Sequence, residues 1–549
     1  MQWLKETLDK IIEEFGNREK LVCNGGLSVS GLQHCGRLRG EVTYNDVVSR
    51  QLRERGYNAV HYLVLYTVDP WKGKDAQLKQ FKNPKEAIKY RGQPLSKVPD
   101  PYGCHSNWVE HYWEDFGNYL KDFAVDVKII TTEELYKNND KMKEFVRKVI
   151  EKKEEVRRVI NKYRGRKPYP EGWIPFEPIC NKCGRIDTTE SVDVDLKSYK
   201  VKYVCSNCGH EGETSMENGK LMWRLEWVGI WYSLGVCFEP FGKDHAMPGG
   251  SRDSCVDLAV NVFGLKPPVG LAYEWVGYAV KGKDLGDMGS SDFIGFTPKE
   301  WLEVAEPEVL RYMYLFSDPM KRIVLSLEQI PSYTENYDRA ERIYYGIEKP
   351  KPSEDRERII ASYKLAQLKD PPDTPPFQLS YYHAVALCQV IPTDKDLLEE
   401  ALKRLKSTGV LKETTLDEYS LNRIKSRLEK ARKWVDKYAP PIYKIKPTEE
   451  LDKETLTKID LNIVPLLKKL LDNLKQTEWS EEKIKEAMMK IPKKSKSEER
   501  KFFKALYLIY FAKDRGPRIA FYLAMLDKNW VIKRLEEAIE QVEHYSSNS

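Results

Sequence analysis

The chain has 549 residues, long enough for several domains, and its composition is that of a folded protein: 32% charged, 11% aromatic, with 13 tryptophans. Ninety Lys and Arg against 84 Asp and Glu leave a net charge of +6. That small excess does not by itself argue for nucleic acid, although a mixed-sign chain can carry a local basic surface. No uncharged apolar run is long enough to cross a bilayer, which excludes a helical membrane protein.

The N-terminal stretch MQWLKETLDKIIEEFGNREK reads as an amphipathic helix. It has no basic start followed by an apolar stretch, so it is not a signal peptide, and a cytoplasmic protein is expected. Residues 21–66 read strand, loop, helix, strand. LVCNGG is a short apolar run ending in glycines, the segment from His34 to Tyr57 has helical periodicity with Gly56 as its stop, and NAVHYLVLYTVDP is apolar and β-branched. Such a β-α-β unit suits a parallel sheet of Rossmann type. Residues 98–116 begin as a turn and continue as a helix, and residues 133–164 are charged and helix-forming.

After a Pro-rich break (KPYPEGWIPFEP), residues 176–222 read as short strands around two cysteine pairs; the α/β pattern resumes over 224–316. From residue 318 onward the chain is mainly helical, with apolar residues at three- and four-residue spacing in LDEYSLNRIKSRLEKARKWVDKYAP and ERKFFKALYLIYFAKDRGPRIAFYLAML. The segment IEKPKPSEDR (347–356) and the loop at 370–377 are candidate boundaries.

Of ten cysteines, four stand as Cys180-Asn-Lys-Cys183 and Cys205-Ser-Asn-Cys208. Each CxxC turn points two thiolates at one centre, and two turns supply a closed tetrahedral set for a structural Zn²⁺. Gly184 and Gly209 follow each pair, where a knuckle needs a tight turn, and the residues between the pairs read as a hairpin. A redox dithiol is the alternative. His210 reads as a bystander. The other six (Cys23, Cys35, Cys104, Cys237, Cys255, Cys388) read as small buried hydrophobes, Cys35 being set apart by its place in a motif.

That motif is Asn24-Gly-Gly-Leu-Ser-Val-Ser-Gly-Leu-Gln-His-Cys-Gly-Arg37, joining the first strand to the first helix. Glycines let the backbone approach a ligand, and a helix N-terminus favours phosphate. The mechanics fit ATP, and they fit any glycine-rich turn as well.

GLSVSGLQHCGR resembles the first signature of the class I synthetases, of the form H-x-G-H, and its upstream part is similar to the S-G-x-T-P-S-G of class I lysyl-tRNA synthetases. His34, Gly36, Ser30 and Gly31 match, while Ser28, Val29 and Arg37 replace Thr, Pro and Asn or His. VPDPYGCH (98–105), GVCFEPFGKDH (235–245), YEWVG (273–277), EWLEVAEPEVLRY (300–312), YDRAERIYYG (337–346), WVDKYAP (434–440) and DRGPRIAFYLAMLD (514–527) resemble the same family in order along the chain.

The resemblance implies a multidomain α/β plus α protein: a class I synthetase Rossmann-type parallel sheet, an inserted zinc module and an all-helical C-terminal anticodon-binding half. The implied domains are 1–132 and 223–317 for the two halves of the catalytic domain, 133–222 for the insertion, 318–350 for a helical connector and 351–549 for the anticodon-binding region. It implies activation of L-lysine with ATP and Mg²⁺, and transfer to a lysine-isoacceptor tRNA; neither DNA nor a membrane is an expected partner.

The implied catalytic residues are His34, Gly36, Arg37, Lys243, Asp244 and His245. ATP would meet Ser30, Gly31, His34, Gly36, Met288, Ser290 and Ser291. Lysine would meet Gly26, Ser28, Trp223, Trp231 and His245, with Glu274 or Asp253 for the ammonium; domain-interface core is the competing role for the tryptophans. Two departures stand out. The family's K-M-S-x-S-K loop corresponds to Asp287-Met-Gly-Ser-Ser-Asp292, where both lysines become aspartates and attraction for phosphate becomes repulsion. Lys281 and Lys283 are near but out of register. Tyr232-Ser233 stands where Ser-His is usual. Lys493-Lys-Ser-Lys-Ser497 looks like the missing loop, but Ser495 with Glu498 reads as a capping box opening a helix. The aspartates leave two further readings open, a synthetase-derived paralogue that binds tRNA or lysine without activating it, and an altered transferase.

Overall fold

The computed structural model describes residues 1–412, 415–491, 493–516 and 518–547. The chain divides into two compact units. The first comprises Met1–Leu302, Pro307–Ser326 and Ala340–Pro371; the second comprises Glu303–Glu306, Leu327–Arg339 and Pro372–Ser549.

The first unit opens with α1 (Gln2–Phe15), whose Leu4, Leu8, Ile11 and Phe15 are buried, as the amphipathic pattern predicts. β1 (Leu21–Leu27) follows, then a loop and a short tight helix running into α2 (Asn45–Glu54), then β2 (Ala59–Leu65). Gly56 ends the helical stretch at φ +87°, a conformation that L side chains avoid. The chain continues through α3 (Trp108–Gly117) and β3 (Val127–Thr131) to the charged helices, of which α4 (Asp140–Glu151) is the longest.

The first cysteine pair precedes an antiparallel sheet of β4 (Thr189–Asp195), β5 (Lys200–Cys205) and β6 (Glu211–Ser215), and the second sits at the turn between β5 and β6. The α/β pattern resumes with α5 (Trp223–Leu234), β7 (Val236–Gly242) and β8 (Val269–Tyr273). A hairpin of β9 (Val276–Val280) and β10 (Lys283–Asp287) follows. Then come α6 (Pro307–Phe316) and β11 (Ile323–Leu325), which pairs parallel with β9.

The main sheet runs β8-β7-β1-β2-β3 and every pairing in it is parallel. β1 and β7 are buried along nearly their whole length, as strands covered on both faces must be. The chain builds outward from β1 through β2 to β3, then crosses to the other side for β7 and β8. The strand order therefore reverses between β1 and β7, and in open parallel sheets a crevice forms there, beyond the carboxyl ends.

Two buried guanidinium groups lock the helical segment after β1. Arg39 donates to the carbonyls of Glu274, Asp318 and Lys321 at 2.8–2.9 Å. Arg311, fully buried, pairs with Asp46 at 2.7 Å and also donates to the carbonyl of Ala366. A buried ion pair survives only when its remaining donors are satisfied, and these are.

The second unit is helical. It contains α7 (Tyr381–Val390), α8 (Glu418–Lys437), α9 (Lys496–Phe511) and α10 (Lys528–Ser547). Arg427 on α8 holds Asp338 at 2.6 Å and Glu306 at 3.0 Å, and the Trp434 indole donates to the carbonyl of Leu327. Ser495 caps α9, accepting from the backbone N–H of Glu498. The Glu498 carboxylate bonds the N–H of Lys494 rather than that of Ser495, so this is an N-cap without the reciprocal bond. The Pro492 that precedes it lies outside the described residues. The periodic stretch 499–526 is two helices, because Ala512 turns left-handed (φ +50°) and ends α9.

Candidate functional site

One cavity of about 860 Å³ opens where the strand order reverses. β1 supplies Gly26 and Leu27, β7 supplies Phe241 and Gly242, β8 supplies Tyr273, and the segment after β10 supplies Met288 to Asp292.

The glycine-rich loop forms one wall. Its backbone is fixed from outside: the Trp108 indole donates to Val29 O (3.1 Å), and Gln77 donates to Ser30 O (2.8 Å). Ser28, Ser30, His34, Gly36 and Arg37 line the cavity. A Cβ on Gly36 would lie 2.9 Å from His34 Nδ1, and one on Gly31 would lie 2.4 Å from Ser290 O, so both glycines are needed for close approach. Gly31 touches the 287–292 loop rather than the cavity. His34 is buried with Nδ1 unpartnered. Burial first, then the charge of Arg37, holds its pKa well below the ordinary imidazole value, so it is neutral: a hydrogen-bonding group and not a cation. Cys35 is buried beside it with no face on the cavity.

The GKDH residues separate. Gly242, Asp244 and His245 line the cavity; Lys243 turns away to pair with Glu274 at 2.6 Å. His245 Nδ1 lies 2.7 Å from Ser251 Oγ, and its ring sits 5.2 Å from Trp227.

The deep end is acidic and aromatic. On α5, spacing of four places Trp223, Trp227 and Trp231 along one face. Trp223 and Trp227 line the cavity, while Trp231 is buried behind them and donates its indole N–H to Glu239. Asp69, Glu177, Glu226 and Glu239 line this end against one ammonium, Lys220, which bonds Asp69 at 2.6 Å and Glu226 at 2.8 Å. Glu226 Oε1 is buried with no partner. Burial pushes its carboxyl up to about 7 despite Lys220. Neither Glu274 nor Asp253 lines the cavity: Glu274 is taken by Lys243, and Asp253 accepts the N–H of Gly249. Glu226 and Lys220 carry no local sequence signal, and Glu239, though inside GVCFEPFGKDH, is not singled out by it; they meet because α5, β7 and the short strand Gly219–Leu221 converge.

The loop after β10 lines the cavity with Met288, Ser290 and Ser291 and also with both aspartates. The side chains that anchor it from other segments are basic. Arg322 pairs with Asp287 at 2.7 Å, Arg37 donates to Ser290 Oγ at 3.0 Å, and Lys74 pairs with Asp292 at 3.0 Å. Lys281 and Lys283 sit at the hairpin turn away from the cavity. Tyr232 points the other way, accepting from Lys148 and donating to Glu144, so the Tyr-Ser replacement leaves the cavity untouched.

Among the described residues, two side-chain clusters could hold a metal. Cys180, Cys183, Cys205 and Cys208 form one, with Sγ–Sγ distances of 3.7 Å for the pairs 180–208 and 183–205. The two turns match. Gly184 N–H bonds Cys180 O and Gly209 N–H bonds Cys205 O, each at 2.9 Å, with φ of +74° and +66°. His210 contributes its backbone, its carbonyl accepting from the N–H of Cys205 and its N–H bonding Cys208. Four convergent thiols with no disulfide fit a closed tetrahedral metal site.

The second cluster is Asp100, Cys104, His105 and His111. Cys104 Sγ lies 3.2 Å from Nδ1 of both histidines, and His111 Nδ1 lies 3.2 Å from Asp100. Cys104 is thus exposed and clustered, not the buried hydrophobe its isolation suggests; Cys23, Cys35, Cys237, Cys255 and Cys388 are buried as expected.

A Rossmann-type sheet whose switch-point cavity is walled by the His34 loop and faced by the 287–292 loop has the layout of a class I aminoacyl-tRNA synthetase. A family model described as tRNA synthetases class I (K) matches residues 1–369, and an anticodon binding domain model matches residues 389–539. The lysine–tRNA ligase of Aeropyrum pernix is 46% identical over 544 residues, spanning 98% of this chain and 98% of its own. That of Pyrococcus furiosus is 34% identical, spanning 97% and 99%, and that of Methanocaldococcus jannaschii 31%, spanning 97% and 99%. The chain belongs to the class I tRNA synthetases specific for lysine.

Proposed function

We propose that the protein is a lysine–tRNA ligase: it joins L-lysine to ATP as an adenylate and passes the lysyl group to tRNA. The observation that carries this reading is one cavity with two unlike ends. The glycine-walled end, with His34 and Arg37, suits a triphosphate, and the acidic aromatic end suits a long cation.

A lysine carboxylate oxygen attacks the α-phosphorus, the bond to the bridging oxygen breaks, and its electron pair leaves on pyrophosphate. Binding supplies most of the catalysis by holding two anions together. Arg37 stabilises charge on the phosphate, and neutral His34 donates a hydrogen bond. Ser30, Gly36, Met288, Ser290 and Ser291 shape the ATP end, with Gly31 seating the loop against it, and Asp244 and His245 flank the reacting atoms. Mg²⁺, brought with ATP, would neutralise phosphate oxygens. Gly26 and Ser28 floor the lysine end, Trp223 and Trp227 pack on the methylenes, and Trp231 holds Glu239. The unpartnered Glu226 Oε1 takes the ammonium. Zn²⁺ suits the four-cysteine cluster and, by its donor set, the Asp100-Cys104-His105-His111 cluster; both serve as struts.

In the helical unit, a cleft of about 660 Å³ is lined by Lys496, Arg500, Lys504, Arg515 and Arg518 against Glu499 and Asp514, with Phe503 and Tyr507. Cations beside aromatic faces suit splayed single-stranded bases, which supports anticodon reading there. The aspartates at 287 and 292 favour the second reading, a binding paralogue without activation. Their pairing with Arg322 and Lys74 removes much of the repulsion on which that reading rests.

The test is charging. Purified protein with tRNA should esterify lysine and reject arginine, and Glu226→Gln should raise KM for lysine at least tenfold while leaving KM for ATP near that of the wild type. Lysine charging absent under all conditions from folded, tRNA-binding protein would leave the binding reading.

A further inference from the structure

The loop facing the glycine wall, Asp287 to Asp292, contains no cation, yet the reaction proposed above expels pyrophosphate beside it. A cation for that leaving group must come from another segment. Next to the main cavity lies a second one of about 780 Å³, which shares Lys72 and Asp292 with it. Four cations line it, Lys72, Lys74, Lys79 and Arg91, against two carboxylates, Asp75 and Asp292. A chain of phosphates entering past Arg37 and Ser290 would run from the first cavity into this one.

Lys74 lines the second cavity and reaches the junction through Asp292. Its Nζ donates to both carboxylate oxygens of Asp292 (3.0 and 3.1 Å) and to Ser291 Oγ (2.9 Å), so the ammonium bridges to the loop at the point the two cavities share. Its backbone is placed with precision that a surface lysine does not need. The turn begins at buried Trp71, bends at Gly73 (φ +60°), and is closed by Gln77. The Gln77 side chain accepts from the Lys74 N–H at 2.8 Å and donates to Ser30 O on the glycine wall at 2.8 Å. Gln77 thus ties the turn that carries Lys74 to the loop that would hold the α-phosphate.

We propose that Lys74 is the leaving-group cation of this enzyme, with Asp292 as its resting counter-ion. This rests on the activation reaction proposed above. ATP binding replaces one carboxylate on Lys74 with the β- and γ-phosphate oxygens. As the bond between the α-phosphorus and the bridging oxygen breaks, the electron pair collects on pyrophosphate, and the ammonium, protonated throughout, stabilises it there. The ammonium keeps an anionic partner in both states, which gives the aspartate at 292 a use: it holds the ammonium in place while the site is empty. The ammonium is charge-assisted in both partnerships, and its loss costs roughly 10- to 100-fold.

The experiment uses the full-length protein with tRNA present, comparing wild type, Lys74→Met, Lys74→Arg and Asp292→Asn by ATP–pyrophosphate exchange and by calorimetric titration with inorganic pyrophosphate. Wild-type exchange establishes the reaction itself; its absence would overturn the reading beneath this one and is visible before any variant is compared. Given wild-type exchange, Lys74→Met should weaken pyrophosphate binding and slow exchange by roughly 10- to 100-fold, with KM for lysine unchanged. Lys74→Arg should recover most of the loss, and Asp292→Asn, which frees the ammonium, should tighten pyrophosphate. Lys74→Met with wild-type exchange and a raised KM for tRNA would overturn the proposal and give the second cavity to tRNA phosphates. Equal weakening by Lys74→Met and Asp292→Asn, with a lowered melting temperature for both, would overturn it in favour of a strut.

Discussion

His34 and His61 are both buried, and burial keeps both imidazoles neutral. For His61, on β2, the pKa falls to about 4, burial outweighing the nearby Asp46 carboxylate. Its Nε2 lies 3.1 Å from Glu41 O and its Nδ1 has no partner, so the neutral form is the one the site accepts. The folded pKa lies below the unfolded one, so the unfolded chain binds the proton first as pH falls through 6.5. Stability is then lost until about pH 4. Between pH 7.5 and pH 5 His61 should cost roughly 2 kcal/mol, and His61→Gln should lose correspondingly less over that interval in denaturant titrations. Equal losses in the two proteins would contradict this.

At this scale the sequence was legible where residues act within one segment. GLSVSGLQHCGR places Ser28, Ser30, His34, Gly36 and Arg37 on one wall because a strand-to-helix loop must. It was not legible where partners come from afar. Glu226 and Lys220 are six residues apart, but Asp69 joins them across 151 positions, and nothing in either segment announces the other.

The two cysteine turns were legible as a metal-holding element because CxxC spacing is itself the geometry of a knuckle. The second cluster was not. Its Asp100, Cys104-His105 and His111 span a turn and the first residues of α3, a spacing with no characteristic knuckle, so Cys104 read as an isolated apolar residue. Two zinc ions per chain are expected by elemental analysis. Cys180→Ser with Cys208→Ser should leave one, and Cys104→Ala with His111→Ala should also leave one. A wild-type content of one zinc that survives the second pair of changes would contradict the second site. The loop after β10 teaches the opposite lesson. Its aspartates read as a loss of function when taken alone, because the cations that answer them, Arg322 and Lys74, are 35 and 218 residues away.

For the molecule as a whole, periodicity located most elements, and the parallel sheet followed from one β-α-β unit. The helical C-terminal half was equally plain, since apolar residues at three- and four-residue spacing run through it. What periodicity could not show was that Glu303–Glu306 and Leu327–Arg339 fold with the C-terminal helices, an arrangement carried by Arg427 through Glu306 and Asp338. The basic aromatic cleft of the helical unit belongs to tRNA in this account. Arg500→Ala with Phe503→Ala should raise KM for tRNA by roughly tenfold or more, each stacked base or charged contact being worth about 1–3 kcal/mol. Exchange at saturating tRNA should remain near wild type. An unchanged KM for tRNA would move anticodon reading elsewhere on that unit.

The central claim is that a site with Asp287 and Asp292 in its facing loop still activates lysine. Lysine-dependent ATP–pyrophosphate exchange, run with and without tRNA on the wild type and on His34→Ala, tests it most directly. Exchange should require lysine and fall at least 100-fold in His34→Ala, the loss of one preorganised donor to the reacting phosphate. No exchange from folded, metal-loaded wild type that binds tRNA, or exchange indifferent to His34, would contradict it.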